Sequence, residues 1–192
     1  MLSGIILASG FSRRFASDKL TYRVLGMPLV EHVVKNCLDS KLDEVIVVYR
    51  KIQINEYLKN YNIKCIKNEN AEEGMSASLR LGIENTDPKS DGYMILMGDQ
   101  ILFDSNDINR MIEEYEIHEK IIAATYKGKR RTPVIFPSSY YDRLMKIKGD
   151  EGGRSILKDS GNDTIYIEYD SIKSIDIDRM EDVDKVLEYL EE

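Results

Sequence analysis

Short apolar runs alternate with helical patterns through the first two-thirds of the chain. Runs such as GIILA, EVIVVY and YMILM have no polar face, which is typical of strands that are covered on both sides. Between them, PLVEHVVKNCLD places Leu29, Val33 and Cys37 at the spacing of one helix face. This alternation predicts parallel β-α-β units, and therefore a Rossmann-like α/β fold with an open, mostly parallel, twisted sheet.

The pattern changes after Tyr126. YKGKRRTPVIF predicts a strand, a polar turn and a second strand, and hence an antiparallel insertion. Two short helices, strands in TIYIEY and SIKSIDI, and a final helix are predicted to follow. Because the sequence contains no repeat and no linker that would divide it, we expect one domain over residues 1–192.

Composition narrows the possible partners and the location. The chain has 27 basic and 34 acidic residues, a net charge of −7, which argues against a nucleic-acid binder or an anionic-membrane binder. It has neither an apolar stretch long enough to span a bilayer nor the layout of a signal peptide at its start, so we expect a cytoplasmic protein. The two cysteines form no C-x-x-C pair and are expected to be buried, reduced thiols.

In an open α/β sheet, ligands bind beyond the carboxyl ends of the strands, where the strand order reverses. Polar residues that directly follow predicted strands are therefore the first candidates for a site. They occupy residues 9–19, 68–78, 98–100 and 176–178.

The opening loop, LASGFSRRFASDKL, has the parts of a polyphosphate site. Ser9 and Gly10 allow backbone amides to approach phosphate oxygens, Arg14 and Lys19 supply positive charge, and Ser12 adds a donor. The loop matches neither the Walker A motif nor the dinucleotide fingerprint. The alternative is a polar surface turn with solvated cations.

The segment NENAEEGMSASLRLGI predicts a helix whose first turn follows Gly74. Free N–H groups at a helix start suit a phosphate or the acceptor atoms of a base, which makes Gly74, Ser76 and Ser78 candidates for nucleotide binding. The alternative is simple capping of the helix by Ser76.

Three acidic residues could hold a metal ion. Asp99 follows the buried strand YMILM, and a carboxylate there, near a polyphosphate, would attract Mg²⁺, which needs only one or two protein carboxylates. Asp176 and Asp178 lie two residues apart, on one face of a predicted strand end, and either could be the second ligand. Asp178 has a competing explanation, since Asp178-x-x-Glu181 is similar to a capping box.

The hairpin YKGKRRTP carries Lys127, Lys129, Arg130 and Arg131 around Gly128. These cations indicate either a solvated turn or a site for a second anionic substrate.

Several separated motifs together resemble the MobA-like nucleotidyltransferases. LASGFSRRFASDKL is similar to that family's loop L-A-[AG]-G-x-S-x-R-M-G-x-x-K, and GMPLVEHVV, NENAEEGMSASLRLGI, MGDQ, TPVIF, GDEGGRSIL and DIDRMED follow in the family's order. Within the family, GMSASLRLGI and GDEGGRSIL look most like the molybdenum cofactor cytidylyltransferases. The resemblance implies a fold of the nucleotide-diphospho-sugar transferase type and transfer of CMP from CTP to the terminal phosphate of molybdopterin, with release of pyrophosphate.

The resemblance also implies roles for residues of this chain. Arg14, Lys19 and Asp99 would be catalytic, and Asp99 and Asp178 would hold Mg²⁺. The nucleotide-binding residues would be Leu7, Ala8, Ser9, Gly10, Ser12, Lys19, Asn68, Gly74, Ser76 and Ser78. The implied partners are CTP or another nucleoside triphosphate, an anionic phosphorylated acceptor such as molybdopterin, and a molybdoenzyme.

The chain departs from the family pattern at several positions. Thr132 replaces a histidine before Pro133, Ile101 replaces a proline after GDQ, and Phe15-Ala16 replaces M-G in the opening loop. These differences leave two alternatives open. One is a guanylyl- or sugar-nucleotidyltransferase on the same fold, and the other is a non-catalytic nucleotide- or cofactor-binding accessory protein of a molybdoenzyme.

Overall fold

The computed structural model describes residues 1–11 and 18–191, which form nine strands and seven α-helices within those ranges. The strands are β1 (Leu2–Ala8), β2 (Arg23–Val24), β3 (Met27–Pro28), β4 (Glu44–Tyr49), β5 (Lys64–Lys67), β6 (Gly92–Met97), β7 (Ile121–Tyr126), β8 (Lys129–Pro137) and β9 (Thr164–Glu168). The helices are α1 (Leu29–Leu38), α2 (Ile52–Leu58), α3 (Met75–Glu84), α4 (Ser105–His118), α5 (Tyr141–Leu144), α6 (Arg154–Asp159) and α7 (Met180–Glu191).

Seven of these strands form one mixed sheet in the order β5-β4-β1-β6-β8-β7-β9. β1 pairs in parallel with β4 and β6, whereas β8 pairs antiparallel with both β6 and β7. The chain moves outward from β1 through β4 to β5 and then returns to β6 on the other side of β1, so the strand order reverses between β1 and β6. The predicted α/β fold, with a mostly parallel sheet and an antiparallel piece, is confirmed.

Helices cover both faces of the sheet. Along β1, Ile6 packs in one apolar cluster with residues of α1, α4 and α7, while Ile5 packs in the other with residues of α3, α5 and α6. Both isoleucines are fully buried, which explains why β1 has no polar face. Gly98 donates its backbone N–H to the Leu7 carbonyl at 3.1 Å, so the ends of β6 and β1 lie side by side at the reversal.

The strand predicted in SIKSIDI is wrong. Ser171–Ser174 forms a short 3₁₀ helix instead, because the Asp170 side chain accepts a hydrogen bond from the Ile172 N–H and closes a turn. Lys173 of this turn pairs with Asp104 and Asp107 at the start of α4, which attaches the segment to a helix rather than to the sheet.

Within the described ranges, no helix is both long enough and apolar enough to cross a membrane. The cytoplasmic location and the single domain over residues 1–192 stay predictions.

Candidate active site

Lys19 connects two carboxylates that are far apart in the sequence. It begins a short 3₁₀ turn, Lys19–Thr21, after the opening loop. Its Nζ lies 2.5 Å from Asp99 Oδ2 and 2.7 Å from Asp178 Oδ1. Asp99 follows β6 and Asp178 precedes α7, so three separate segments meet at the carboxyl edge of the sheet.

Burial strengthens the electrostatic interaction of Lys19 with Asp99 and shifts the pKa values of both residues. Asp99 is only 3% exposed, and this burial raises its pKa, as does the negative charge of Asp178, while Lys19 opposes the rise. For Lys19, burial alone would lower the pKa, but attraction to Asp99 and hydrogen bonds to both carboxylates outweigh it and raise the pKa. Lys19 is therefore held as a cation.

The donor chemistry fits Mg²⁺. Asp99 and Asp178 direct carboxylate oxygens at a single positive atom, the Lys19 ammonium, so the two carboxylates lie close together around one cation. In residues 1–11 and 18–191, no group of three or more His, Cys, Asp or Glu side chains could form a metal site. A pair of carboxylates is enough for Mg²⁺ when substrate phosphates and water complete its shell.

A cavity of about 600 Å³ opens beside this pair. Its size lies within the range that holds small ligands. The predicted residues that line it are Leu7, Ser9, Gly10, Lys19, Gly74, Ser78 and Asp178. The structure therefore brings most of the predicted nucleotide-binding residues into one cavity.

Other predicted residues lie elsewhere. Ala8 is buried and packs in the apolar cluster beneath the sheet. Ser76 lines a different cavity, so its predicted contact with the nucleotide does not match its placement. Arg14 and Ser12 lie outside the described residues.

Asn68 does not line the cavity but forms a hydrogen bond to Ser78, which does. It is 4% exposed and donates from Nδ2 to Ser78 Oγ at 2.9 Å, while Ser78 Oγ and Ser9 Oγ are hydrogen-bonded to each other. This network connects the end of β1, the residue after β5 and the first turn of α3. It holds the two serines of the cavity in place.

The first amides of α3 are not free, contrary to the prediction. The Met75 N–H donates to Asp150 Oδ1 at 3.2 Å, and the Ser76 N–H donates to the Gly149 carbonyl at 3.0 Å. A loop some seventy residues away along the chain thus caps the helix. Local patterns carry no signal for such a contact, although Asp150 belongs to the GDEGG motif that the sequence showed.

The first cavity also has lining residues that the sequence analysis did not single out. They are Phe11, Ala71, Glu72, Met75, Met97 and Asp150. Phe11 lies in the opening loop and packs under Arg50, whose guanidinium carbon is 4.5 Å from the ring centroid.

A second cavity, of about 540 Å³, adjoins the first and shares Met75, Met97 and Asp150 with it. Five cationic side chains line it: Lys129, Arg130, Arg131, Arg154 and Lys158. Three of them come from β8, the antiparallel strand. Lys127, in the turn of the same hairpin, is exposed and does not line the cavity.

Asp176 belongs to this second cavity, unlike Asp178. It accepts a hydrogen bond from Gln100 Nε2 at 2.8 Å, and Thr132 Oγ1 donates to Gln100 Oε1 at 3.0 Å. Burial is the main cause that raises the pKa of Asp176 to about 6, and repulsion from Asp99 is the second. The placement favours Asp178 over Asp176 as the partner of Asp99.

The competing explanation for Asp178, a capping box with Glu181, does not match the structure. Asp182 Oδ2 accepts hydrogen bonds from the N–H groups of Asp178 and Arg179, at 3.1 and 2.9 Å. The Asp178 carboxylate instead meets Lys19.

Comparisons with known proteins place the chain in a family. A family model described as the MobA-like NTP transferase domain matches residues 4–165. The chain is 28% identical to purine catabolism protein PucB of Bacillus subtilis (strain 168), over 96% of this chain and 95% of that protein. It is 43% identical to a probable molybdenum cofactor guanylyltransferase of Pyrococcus furiosus, but over only 25% of each chain.

Among solved structures, a nucleotidyl transferase from Methanothermobacter thermautotroptrophicus superposes with a TM-score of 0.86. The match covers 98% of this chain and 97% of that one at 20% identity, so it shows the shared fold alone.

Proposed function

The chain belongs to the MobA-like NTP transferase family, and we propose that it transfers CMP from CTP to the terminal phosphate of molybdopterin, with release of pyrophosphate. The observation that carries the proposal is the Lys19 bridge between Asp99 and Asp178, which lies beside a cavity for one substrate and close to a cationic cavity for another.

The nucleotide would occupy the first cavity. Ser9 and Gly10 line it at the end of β1, where backbone amides can approach phosphate oxygens. The Lys19 ammonium would then interact with the triphosphate and stabilise charge that develops on the leaving pyrophosphate. Arg14 would add charge from the same loop.

The acceptor would occupy the second cavity. Its five cations suit an anionic group, and the apolar side chains of Met97, Val134 and Leu157 suit a flat ring system. Because the two cavities share Met75, Met97 and Asp150, substrates bound in them would meet at these shared residues.

The reaction needs no activated side-chain nucleophile. An oxygen of the acceptor phosphate forms a bond to the α-phosphorus, and the bond from that phosphorus to the bridging oxygen breaks. Pyrophosphate leaves with the electron pair. Catalysis then depends on positioning and on neutralisation of charge by residues of this chain.

Asp99 and Asp178 would hold Mg²⁺, whose charge would neutralise oxygens of the triphosphate. Lys19 neutralises only part of the charge of these two carboxylates. Without the ion, the remaining negative charge would repel the nucleotide. We therefore expect activity to require the metal.

The choice of CTP and molybdopterin rests on motif resemblance. GMSASLRLGI and GDEGGRSIL are similar to segments of the cytidylyltransferases, and a relative named molybdenum cofactor guanylyltransferase supports the acceptor class. That same relative makes GTP the second candidate donor.

The test is pyrophosphate release by the purified protein with molybdopterin and Mg²⁺, with CTP and GTP compared at equal concentration. We expect release with CTP, loss of release on chelation of Mg²⁺, and a reduction of about 100-fold in Asp99→Asn. Asp142→Asn, which changes an exposed carboxylate on α5, is the control and should leave the rate unchanged.

Three outcomes would contradict parts of the proposal. Release with GTP alone would identify a guanylyltransferase. Nucleotide binding with no release from either donor would favour an accessory protein, and a normal rate in Asp99→Asn would remove the metal assignment.

A further inference from the structure

A third cavity, of about 820 Å³, lies between α3 and residues 145–149. Among residues 1–11 and 18–191, it shares no lining residue with either substrate cavity. Glu73, Ser76 and Arg80 line one side of it, and the segment from Met145 to Gly149 lines the other. The proposed reaction does not use it.

Ser76 is an unpaired polar residue in this cavity. The residue is 1% exposed, and its Oγ has no hydrogen-bond partner among the described residues. Its backbone N–H is already bonded to the Gly149 carbonyl, so only the hydroxyl remains. Buried polar groups nearly always have a partner, so the unpaired hydroxyl of a cavity-lining residue is a candidate donor to a ligand.

The charge around the cavity is positive, although the chain as a whole is acidic. Arg80, Lys146 and Lys148 line it together with a single carboxylate, Glu73. Arg80 bonds to that carboxylate at 3.2 Å and also donates to the Ile147 carbonyl, which holds its guanidinium in place.

Two of the cations have no acidic partner. Lys146 and Lys148 are exposed, and within the described part of the chain neither forms an ion pair. The cavity therefore combines a fixed guanidinium and two unneutralised ammonium groups with a buried hydroxyl donor. Phosphate, with several acceptor oxygens and more than one negative charge, matches this set of donors.

We propose that this third cavity binds a phosphate-bearing anion. Ser76 Oγ donates a hydrogen bond to it, and Arg80, Lys146 and Lys148 neutralise its charge. The anion then lies against residues 145–149, directly before Asp150, the residue that caps α3 and lines both substrate cavities.

The test is a titration of ¹⁵N-labelled protein with inorganic phosphate, followed by amide chemical shifts. We expect saturable shifts at Ser76, Arg80 and residues 145–149, separate from any shifts at Gly10 and Lys19 in the nucleotide cavity. A parallel titration with glucose 6-phosphate distinguishes a free anion from a phosphomonoester, and saturation by either one supports the site.

Variants make the test specific. The double change Lys146→Gln with Lys148→Gln should raise the Kd for phosphate about tenfold or more at this site while leaving shifts at Gly10 and Lys19 intact. The control, Lys35→Gln with Lys59→Gln, removes two exposed lysines elsewhere and should leave the Kd unchanged. Ser76→Ala should weaken binding without loss of the folded state, measured by urea unfolding.

Two results would overturn the proposal. One is the absence of saturable shifts around the third cavity with either anion. The other is an unchanged Kd for this site in the double lysine variant.

Discussion

Gly74 combines a backbone conformation that favours glycine with a close approach to a distant loop. Its φ is +94°, and a Cβ at this position would lie 2.6 Å from the Gly149 carbonyl carbon and 2.7 Å from Asp150 Oδ1. Gly74 thus lines the nucleotide cavity and also packs closely against Gly149 and Asp150 of the GDEGG segment.

We expect Gly74→Ala to destabilise the protein more than Gly26→Ala does. Gly26 is the matched control, since its φ is +79° and a Cβ there would meet nothing within 4 Å. A positive φ costs about 1 kcal/mol at both positions, and at Gly74 the ψ of −173° and the clash should together add about 1–3 kcal/mol. Urea unfolding of Gly74→Ala and Gly26→Ala measures the difference, and equal losses would show that neither the ψ nor the contact with the loop adds a cost.

At the scale of elements, the Glu44 side chain of β4 interacts with β1, with β5 and with the segment before β6. It lies at the start of β4 and accepts a hydrogen bond from Ser3 Oγ of β1 at 2.6 Å and one from the Asp87 N–H at 3.0 Å. Lys64 of β5 pairs with it at 2.5 Å. Burial alone would raise the pKa of Glu44, but these partners together lower it below its ordinary value of 4.5.

The lowered pKa of Glu44 predicts how its contribution to stability depends on pH. A carboxylate whose folded pKa lies below its unfolded pKa stabilises fully above the unfolded value, and the contribution is lost as the pH falls through the folded value. Glu44→Gln should therefore lower the free energy of unfolding near neutral pH, and the difference from the unchanged protein should shrink below about pH 4.5.

Urea unfolding from about pH 7 down to about pH 3.5 measures that difference. Glu84→Gln, at an exposed position of α3, is the control and should give a small difference at every pH. A Glu44→Gln difference that stays constant with pH would mean that the carboxylate charge contributes nothing.

At the scale of the whole molecule, the rule that ligands bind at the carboxyl ends of parallel strands accounts for what could be predicted. Asp99 follows β6 and the loop that leads to Lys19 follows β1, so the sheet topology accounts for the position of these two residues at one edge. Asp178 reaches the same edge from the segment before α7, which is not the strand end that the sequence predicted. Contacts between loops were not predictable in this way. Asp150 caps α3 from a distant segment, and the local sequence at Ser76 contains nothing that indicates it.

The same limit applies to the basic hairpin, whose two possible roles the sequence could not separate. β8 runs against its neighbours and turns Arg131 into the second cavity, while Lys127 remains in the exposed turn. Only the pairing of β8 between β6 and β7 decides which cations face the cavity.

The different positions of Arg131 and Lys127 in the hairpin predict different effects of their substitution on the two substrates. Arg131 lines the second cavity and lies 3.5 Å from Asp176, but it does not line the first. If the second cavity holds the acceptor, Arg131→Gln should raise the KM for molybdopterin about tenfold, because one charge-assisted contact is lost, and leave the KM for CTP unchanged. Lys127→Gln removes an equal charge from the same hairpin and should change neither KM in steady-state assays of pyrophosphate release. A rise in both KM values in Arg131→Gln would mean that the two cavities act as one site, because a residue confined to one of them could not then affect both substrates.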